Sequence, residues 1–375
     1  MSDLYENGSA TSTTTASVDT TSSSDSAPAV TSRIDAIHNR SNRVDEVGVK
    51  QAHKQEAWDY AKAKFAANGF DPIVVIWLGV IHLGVIAAPF FFSWSGLIMC
   101  LVFHWITGGI GVCLGYHRVL THTSMKSPEW VRYGLALIGG LSGEGSALHW
   151  TANHRMHHAH SDQPGDPHSP HDGPWWSHVI WTAYKRTPDE IEALHSRWIP
   201  DLKDDKGLQL LHKLFLPSHI ALGLSMGTFG YWLNGWAGFS SMIVWGMFVR
   251  LFFVLHSTWF VNSASHMWGY RNYETTDDSR NNWWVALITY GEGWHNNHHA
   301  YPRMARHGHK WWEIDMTFMT IKLMEKLGMA WDIVDHQHEK KSDLNTIKTP
   351  ETVAAAAQET ARILAAARSQ DTVKV

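Results

Sequence analysis

Polar and apolar positions in this chain separate into long blocks rather than short periods. Residues 72–91, 95–114 and 214–233 each run about 20 residues without Lys, Arg, Asp or Glu, and 239–260 is a fourth run broken only by Arg250. Wound as helices, each is long enough to cross a hydrocarbon layer of about 30 Å. The pattern therefore predicts an all-α integral membrane protein with four transmembrane helices. The connections around 92–94 and 234–238 are short and uncharged, so the runs pair into two helical hairpins. Apart from Arg250, the 31 basic residues fall in the N-terminal, middle and C-terminal polar regions. The positive-inside rule places those three regions, and both termini, on the cytoplasmic side.

Four segments follow from the same blocks. Residues 1–32, rich in Ser, Thr and Ala, cannot bury a core and are expected to be a disordered tail. Residues 33–68 turn charged and helix-permissive, as in a juxtamembrane helix. Residues 69–335 form the membrane domain. Residues 336–375 hold a polar linker and an Ala-rich helix opened by Thr349 and Pro350. Within the middle polar region, 131–145 is apolar but glycine-rich and carries Glu144, so it is expected at the interface or against the bundle rather than as a span.

Composition sharpens this only a little. The 21 Trp include several near the ends of the runs, where aromatic belts form. A net charge of −4 gives no support for a nucleic-acid partner. Cys100 and Cys113, both inside the second run, suggest neither a disulfide framework nor a thiolate metal site.

The chemistry lies in the histidines. His154, His157 and His158 are spaced i, i+3, i+4, which puts three imidazoles on one helix face. His295, His298 and His299 repeat the spacing, and His117 and His122 add an H-x-x-x-x-H pair upstream. Under the four-span topology all three boxes reach one side of the membrane and form a cytoplasmic His-rich cap. Eight imidazoles exceed what one metal ion holds, so two metals are expected, and imidazole suits Fe, Zn or Cu. No H-E-x-x-H occurs, which removes the common zinc-protease reading. A lipid wall beside the site favours redox-active iron, because oxidising an alkyl chain demands activated oxygen. A His-lined metal transporter would instead carry its ligands near mid-membrane.

The motifs Gly115-Tyr116-His117-Arg118…His122, His154-Arg155-Met156-His157-His158, Asp166-Pro167-His168-Ser169-Pro170, Asn262-Ser263-Ala264-Ser265-His266 and Gly291-Glu292-Gly293-Trp294-His295-Asn296-Asn297-His298-His299 resemble those of the membrane-bound fatty-acyl desaturases. Within them, the Δ9 group containing the stearoyl-CoA desaturases and their bacterial and plastid-type relatives is the most similar. The resemblance covers roughly residues 70–335. It implies a ninth ligand, His266, two irons, and Asn262 reaching one iron through water. It also implies that a cis double bond is inserted into an acyl chain with dioxygen and two electrons. A hydroxylase with similar boxes is the nearest enzyme alternative.

In similar enzymes the Trp at the Trp259 position lines a bent acyl tunnel, and the second span lines the tunnel's blind end. That makes Trp105, 12 positions before His117, a candidate for setting its depth. Asp162, Asp166 and Glu292 stand beside the boxes and are expected to receive the second N–H of ligating histidines. Where animal acyl-CoA members carry Arg-Asp before the second box, this chain has Ala152-Asn153, so either acyl-CoA or an acyl-lipid is admitted as substrate. Lys185 and Arg186 could hold a phosphate headgroup. The chain lacks the H-P-G-G haem motif, so a separate ferredoxin or cytochrome b5-type donor is expected. His104, His149, His160, His168, His171, His178, His219 and His256 are read as structural.

Overall fold

The computed structural model describes residues 65, 66 and 68–335. The expected tail over 1–32, nearly all of the 33–68 helix, and the 336–375 linker and Ala-rich helix lie outside the described residues. Among the described residues the fold is helical, and extended pairing is confined to isolated bridges such as Phe70 with Tyr184.

Helix α1, Pro72–Ile86, opens on Asp71, whose carboxylate accepts from the backbone N–H groups of Ile73 and Val74, with Pro72 supplying a first-turn φ at no hydrogen-bond cost. Only seven residues separate it from α2, Trp94–Thr121. There Ser93 caps the new helix through the Gly96 N–H at 3.0 Å and bonds Ser241 at 2.6 Å. Up to His104 α2 is an ordinary α-helix; from Trp105 to Thr121 it widens to π winding.

Glycine permits what packs on that wide half. A Cβ on Gly111 would sit 2.5 Å from the backbone of Gly139, so α3, Glu129–Gly140, lies directly against α2. The apolar 131–145 stretch is thus a short helix and turn packed on the bundle. Helix α4, Ala147–His160, carries the second box, and α5, Pro188–Trp198, and α6, Lys206–Lys213, pack beside it.

Helix α7, Phe215–Met267, contains 53 residues, about 80 Å at 1.5 Å per residue and far longer than one membrane crossing. It does not run straight. Asn234 (φ −154°, ψ 39°) and Gly235 (φ 56°, ψ −148°) break the winding, and the chain reverses. Gly235 is needed for that positive φ. The two limbs, 215–233 and 236–262, then pack antiparallel and very closely. A Cβ on Gly230 would lie 2.3 Å from the Gly238 carbonyl oxygen, and one on Gly246 would lie 2.7 Å from Met226 Sδ. Two helices, α2 and α7, are long and apolar enough to cross a membrane, whereas α1 is apolar but only 15 residues long.

Arg250, the one charge in the apolar runs, is fully buried. Its guanidinium donates to the Gly246 carbonyl at 2.8 Å, to Thr107 Oγ1 at 3.1 Å and to the Leu141 carbonyl just past the end of α3 at 2.6 Å. A cation beside the carbonyl end of a helix is favourably placed. The arginine therefore ties α2, α3 and α7 together from inside the bundle. Three short helices follow α7: α8, Trp283–Ile288; α9, His295–Ala300, which carries the third box; and α10, Met316–Lys326.

Candidate metal centre

Four elements deliver histidines to one buried region: the end of α2, helix α4, the end of α7 and helix α9. The H-x-x-x-x-H pair depends on the winding of α2. In an α-helix a residue five along points well away from the first, but π winding closes its bond at i+5 and brings that residue one turn below. The His122 N–H bonds the His117 carbonyl at 3.1 Å, and the two rings lie 4.8 Å apart.

The side chains sort into two groups whose candidate ligand atoms lie within 4.8 Å of one another: His117, His122, His154, His158 and His298; and His157, His266, His295 and His299. In the first, Nε2 of His298 lies 3.0 Å from that of His117 and 2.9 Å from that of His158, which is 3.1 Å from that of His154. In the second, Nε2 of His266 and His295 are 3.0 Å apart.

Carboxylates decide which ring nitrogen is bare. Glu292 Oε2 lies 2.7 Å from His117 Nδ1, Asp166 3.0 Å from His157 Nδ1, Asp162 2.7 Å from His266 Nδ1 and Asp277 2.6 Å from His299 Nδ1. A carboxylate can only accept, so each Nδ1 carries the proton and each Nε2 presents a lone pair. Nε2 of His122, His157 and His299 are buried without any hydrogen-bond partner. Such orphaned nitrogens are costly unless something else meets them, and a cation does. The donor set fits two metal ions, nitrogen ligands inside and carboxylates behind.

Burial governs the electrostatics of five of the box histidines. Burial, reinforced by neighbouring imidazoles, holds His154, His157, His158, His295 and His298 well below the ordinary histidine value, so their rings stay neutral. Burial alone would raise Asp162 and Glu292. It is outweighed at Asp162 by His266 and at Glu292 by His117 and Arg118, which hold both carboxyls well below the usual range.

A cavity of about 360 Å³ reaches the first group. Its walls include His154, Trp150, Trp259 and Asn262, with Trp77, Leu78 and Leu255 supplying apolar surface. Arg186 also lines it, held by Tyr184 Oη, His149 Nε2 and Asn153 Oδ1 at 2.8–2.9 Å. Two expected substrate residues are not brought to it. Trp105 is 39% exposed and turned to the outside of α2, and Lys185 is exposed beyond the wall.

Sequence reading missed part of the framework. Asp277 lies in a polar stretch with no local pattern to mark it. Arg118 is fully buried and meets Asp315 at 3.0 Å and Glu292 at 3.1 Å, which locks the chain after α9 onto α2. His307 joins the same group, 3.0 Å from Glu292. Asn297 donates to Glu313 at 2.8 Å, and Asn296 accepts from the Asn272 and Tyr273 N–H groups, so the two Asn between the box histidines orient α9. Their place inside a His box was the available signal.

A family model described as fatty acid desaturase matches residues 92–318. Among curated proteins, the chain is 44% identical over 263 residues to a sn-2 palmitoyl-lipid 9-desaturase of Nostoc sp. (strain 36), covering 70% of this chain and 90% of that one. It is 45% identical over 262 residues to a sn-1 stearoyl-lipid 9-desaturase of Synechocystis sp., covering 69% and 79%. It is also 40% identical over 266 residues to an acyl-CoA 5-desaturase of Anemone leveillei, covering 71% and 80%.

Proposed function

The chain belongs to the fatty acid desaturase family, and from that premise we propose that it inserts a cis Δ9 double bond into the acyl chain of a membrane lipid. The observation that carries this reading is the mainly apolar cavity lined by His154 and Asn262, because an alkyl chain laid there passes beside the histidine groups. The lipid-linked substrate is favoured by the bacterial relatives, which act on palmitoyl- and stearoyl-lipids, and by Ala152-Asn153 before the second box.

The nine histidines of the two groups would hold two irons, with Asn262 reaching one through water. Bound iron supplies the activation of dioxygen that removal of hydrogen from an unactivated alkyl chain requires. In the overall change the chain loses two hydrogens, dioxygen takes up two electrons and two further protons, and two waters form. The protein's own part is placement. Trp259, buried in the cavity wall within three residues of Asn262, shapes the chain's path past the metals. Arg186, whose partners at the wall are all neutral, keeps its charge for the polar end of the substrate. Asp162, Asp166 and Glu292 hold their histidines in the ligating tautomer.

The enzyme is membrane-associated; on this reading it crosses four times, by residues 72–91, α2 and both limbs of α7, with the histidines and both termini on the cytoplasmic side. Electrons come from a separate ferredoxin or cytochrome b5-type protein.

Expression in a host without monounsaturated products, followed by fatty-acid methyl-ester analysis, tests the reaction. A Δ9-unsaturated lipid is expected, and a hydroxylated chain in its place would favour the rebound alternative. Purified protein should carry about two irons per chain, and His157→Ala and His298→Ala should each lower that content and abolish turnover. Active protein containing zinc alone would overturn the redox reading.

A further inference from the structure

The cavity opens to the outside, and the place of that opening says how substrate arrives. Ile73 in the first turn of α1 is 78% exposed, Leu216 in the first turn of α7 is 55% exposed, and both line the cavity. A residue can be largely exposed and line an interior space only where that space opens. The opening therefore lies between the first turns of these two helices.

What it opens onto follows from the surroundings. Beyond Ile73, α1 exposes Ile76, Val80 and Leu83, and beyond Leu216, α7 exposes Ile220 and Leu224. Both helices thus present continuous apolar surfaces, the kind that face hydrocarbon. Further along, the gap is closed by Trp77, whose ring lies 6.2 Å from Phe215 and 5.1 Å from His219. The opening has a floor, then, and is a bounded hole at the level where α1 and α7 enter the apolar layer. Its polar margin is Arg186 with Tyr184.

We infer that the gap between Ile73 and Leu216 is a lateral portal through which the acyl chain of a membrane glycerolipid slides from the bilayer to the metal site, its ester end staying at Arg186. This rests on the lipid-desaturase reading above. A chain already in the bilayer crosses the gap without leaving an apolar medium, so no methylene is exposed to water on the way. A thioester delivered from the aqueous phase would have to be wetted or carried.

The test follows access and reaction separately. Protein is reconstituted in dioleoylphosphatidylcholine vesicles containing phosphatidylglycerol with a mid-chain diazirine on one palmitoyl chain, and adducts are mapped after illumination. Adducts on cavity-wall residues such as Trp150 or Trp259 are expected. Ile73→Trp with Leu216→Trp should cut their yield about ten-fold, and Leu216→Ala, which widens the mouth, should raise it. Ile76→Trp, exposed on the same helix but outside the cavity, should leave it unchanged. An increase cannot come from misfolding, so the widening variant keeps the inference exposed to failure if the Trp pair folds poorly. Unchanged labelling in both the narrowed and widened variants would overturn the portal. So would stronger cavity labelling by diazirine-bearing palmitoyl-CoA added from water than by the lipid. Methyl-ester analysis of the same vesicles, supplied with reductant and donor, reads the reaction. Portal-dependent labelling without a double bond would sink the desaturase reading and leave the portal standing; a double bond formed equally by the narrowed variant would do the reverse.

Discussion

Four carboxylates behind the histidines do at residue scale what the histidines cannot do alone, fixing which nitrogen is free. Asp277 is the informative one, because nothing in its sequence neighbourhood announces it. Burial would raise its carboxyl, but its close contact and hydrogen bond with the His299 ring hold it below the usual range, so it is ionised and accepts the Nδ1 proton. Asp277→Ala should weaken metal retention about 10–100-fold, measured as iron remaining after graded exposure to a chelator, with Asp277→Asn intermediate. Retention equal to the unaltered protein would show that the tautomer of His299 is fixed by another contact. Eight of the candidate ligands were legible from spacing and His266 from the resemblance, and Asp162, Asp166 and Glu292 were legible beside the boxes, whereas Asp277 was not.

At the scale of elements, glycine decides how closely helices meet. Gly230 and Gly238 each place an added Cβ within 2.3 Å of the other's backbone oxygen, whereas one on Gly79 in α1 or Gly134 in α3 meets nothing within 4 Å. Gly230→Ala or Gly238→Ala should therefore cost about 1–3 kcal/mol as the limbs of α7 are forced apart, seen as a lowered Tm in detergent. Gly134→Ala should instead be neutral or stabilising by up to about 1 kcal/mol, because helix interiors favour Ala. Similar Tm values for both kinds of variant would mean that the limbs yield without loss. The reversal of α7 was readable from the uncharged connection at 234–238. The π winding of α2 was not, because its apolar residues fit an α-helix equally well and only the packing of α3 and the histidines distinguishes the two.

For the whole molecule, the open question is which way the helices cross. Single cysteines at Ser93 and Asn234, in the two short connections, should react with a membrane-impermeant thiol reagent from one face, and one at exposed Ser196 in α5 only from the other. This needs Cys100 and Cys113 to stay silent, and both are buried. Labelling of Ser93→Cys and Ser196→Cys from the same face would remove the four-crossing arrangement and return α1 to an interfacial position.

The sequence by itself determined that the protein is helical and apolar in long runs and that its histidines come in metal-binding spacings. These properties are local, since run length and the i, i+3, i+4 rule are written in consecutive residues. Only the tertiary structure decided that nine imidazoles divide into groups of five and four, that Asp277 and Arg118 stand behind them, that Trp105 faces outward, and that the cavity opens between Ile73 and Leu216. Each of those depends on which residues, remote along the chain, come to lie opposite one another. Short-range pattern carries no information about that, because the same apolar face serves a helix whichever neighbour covers it.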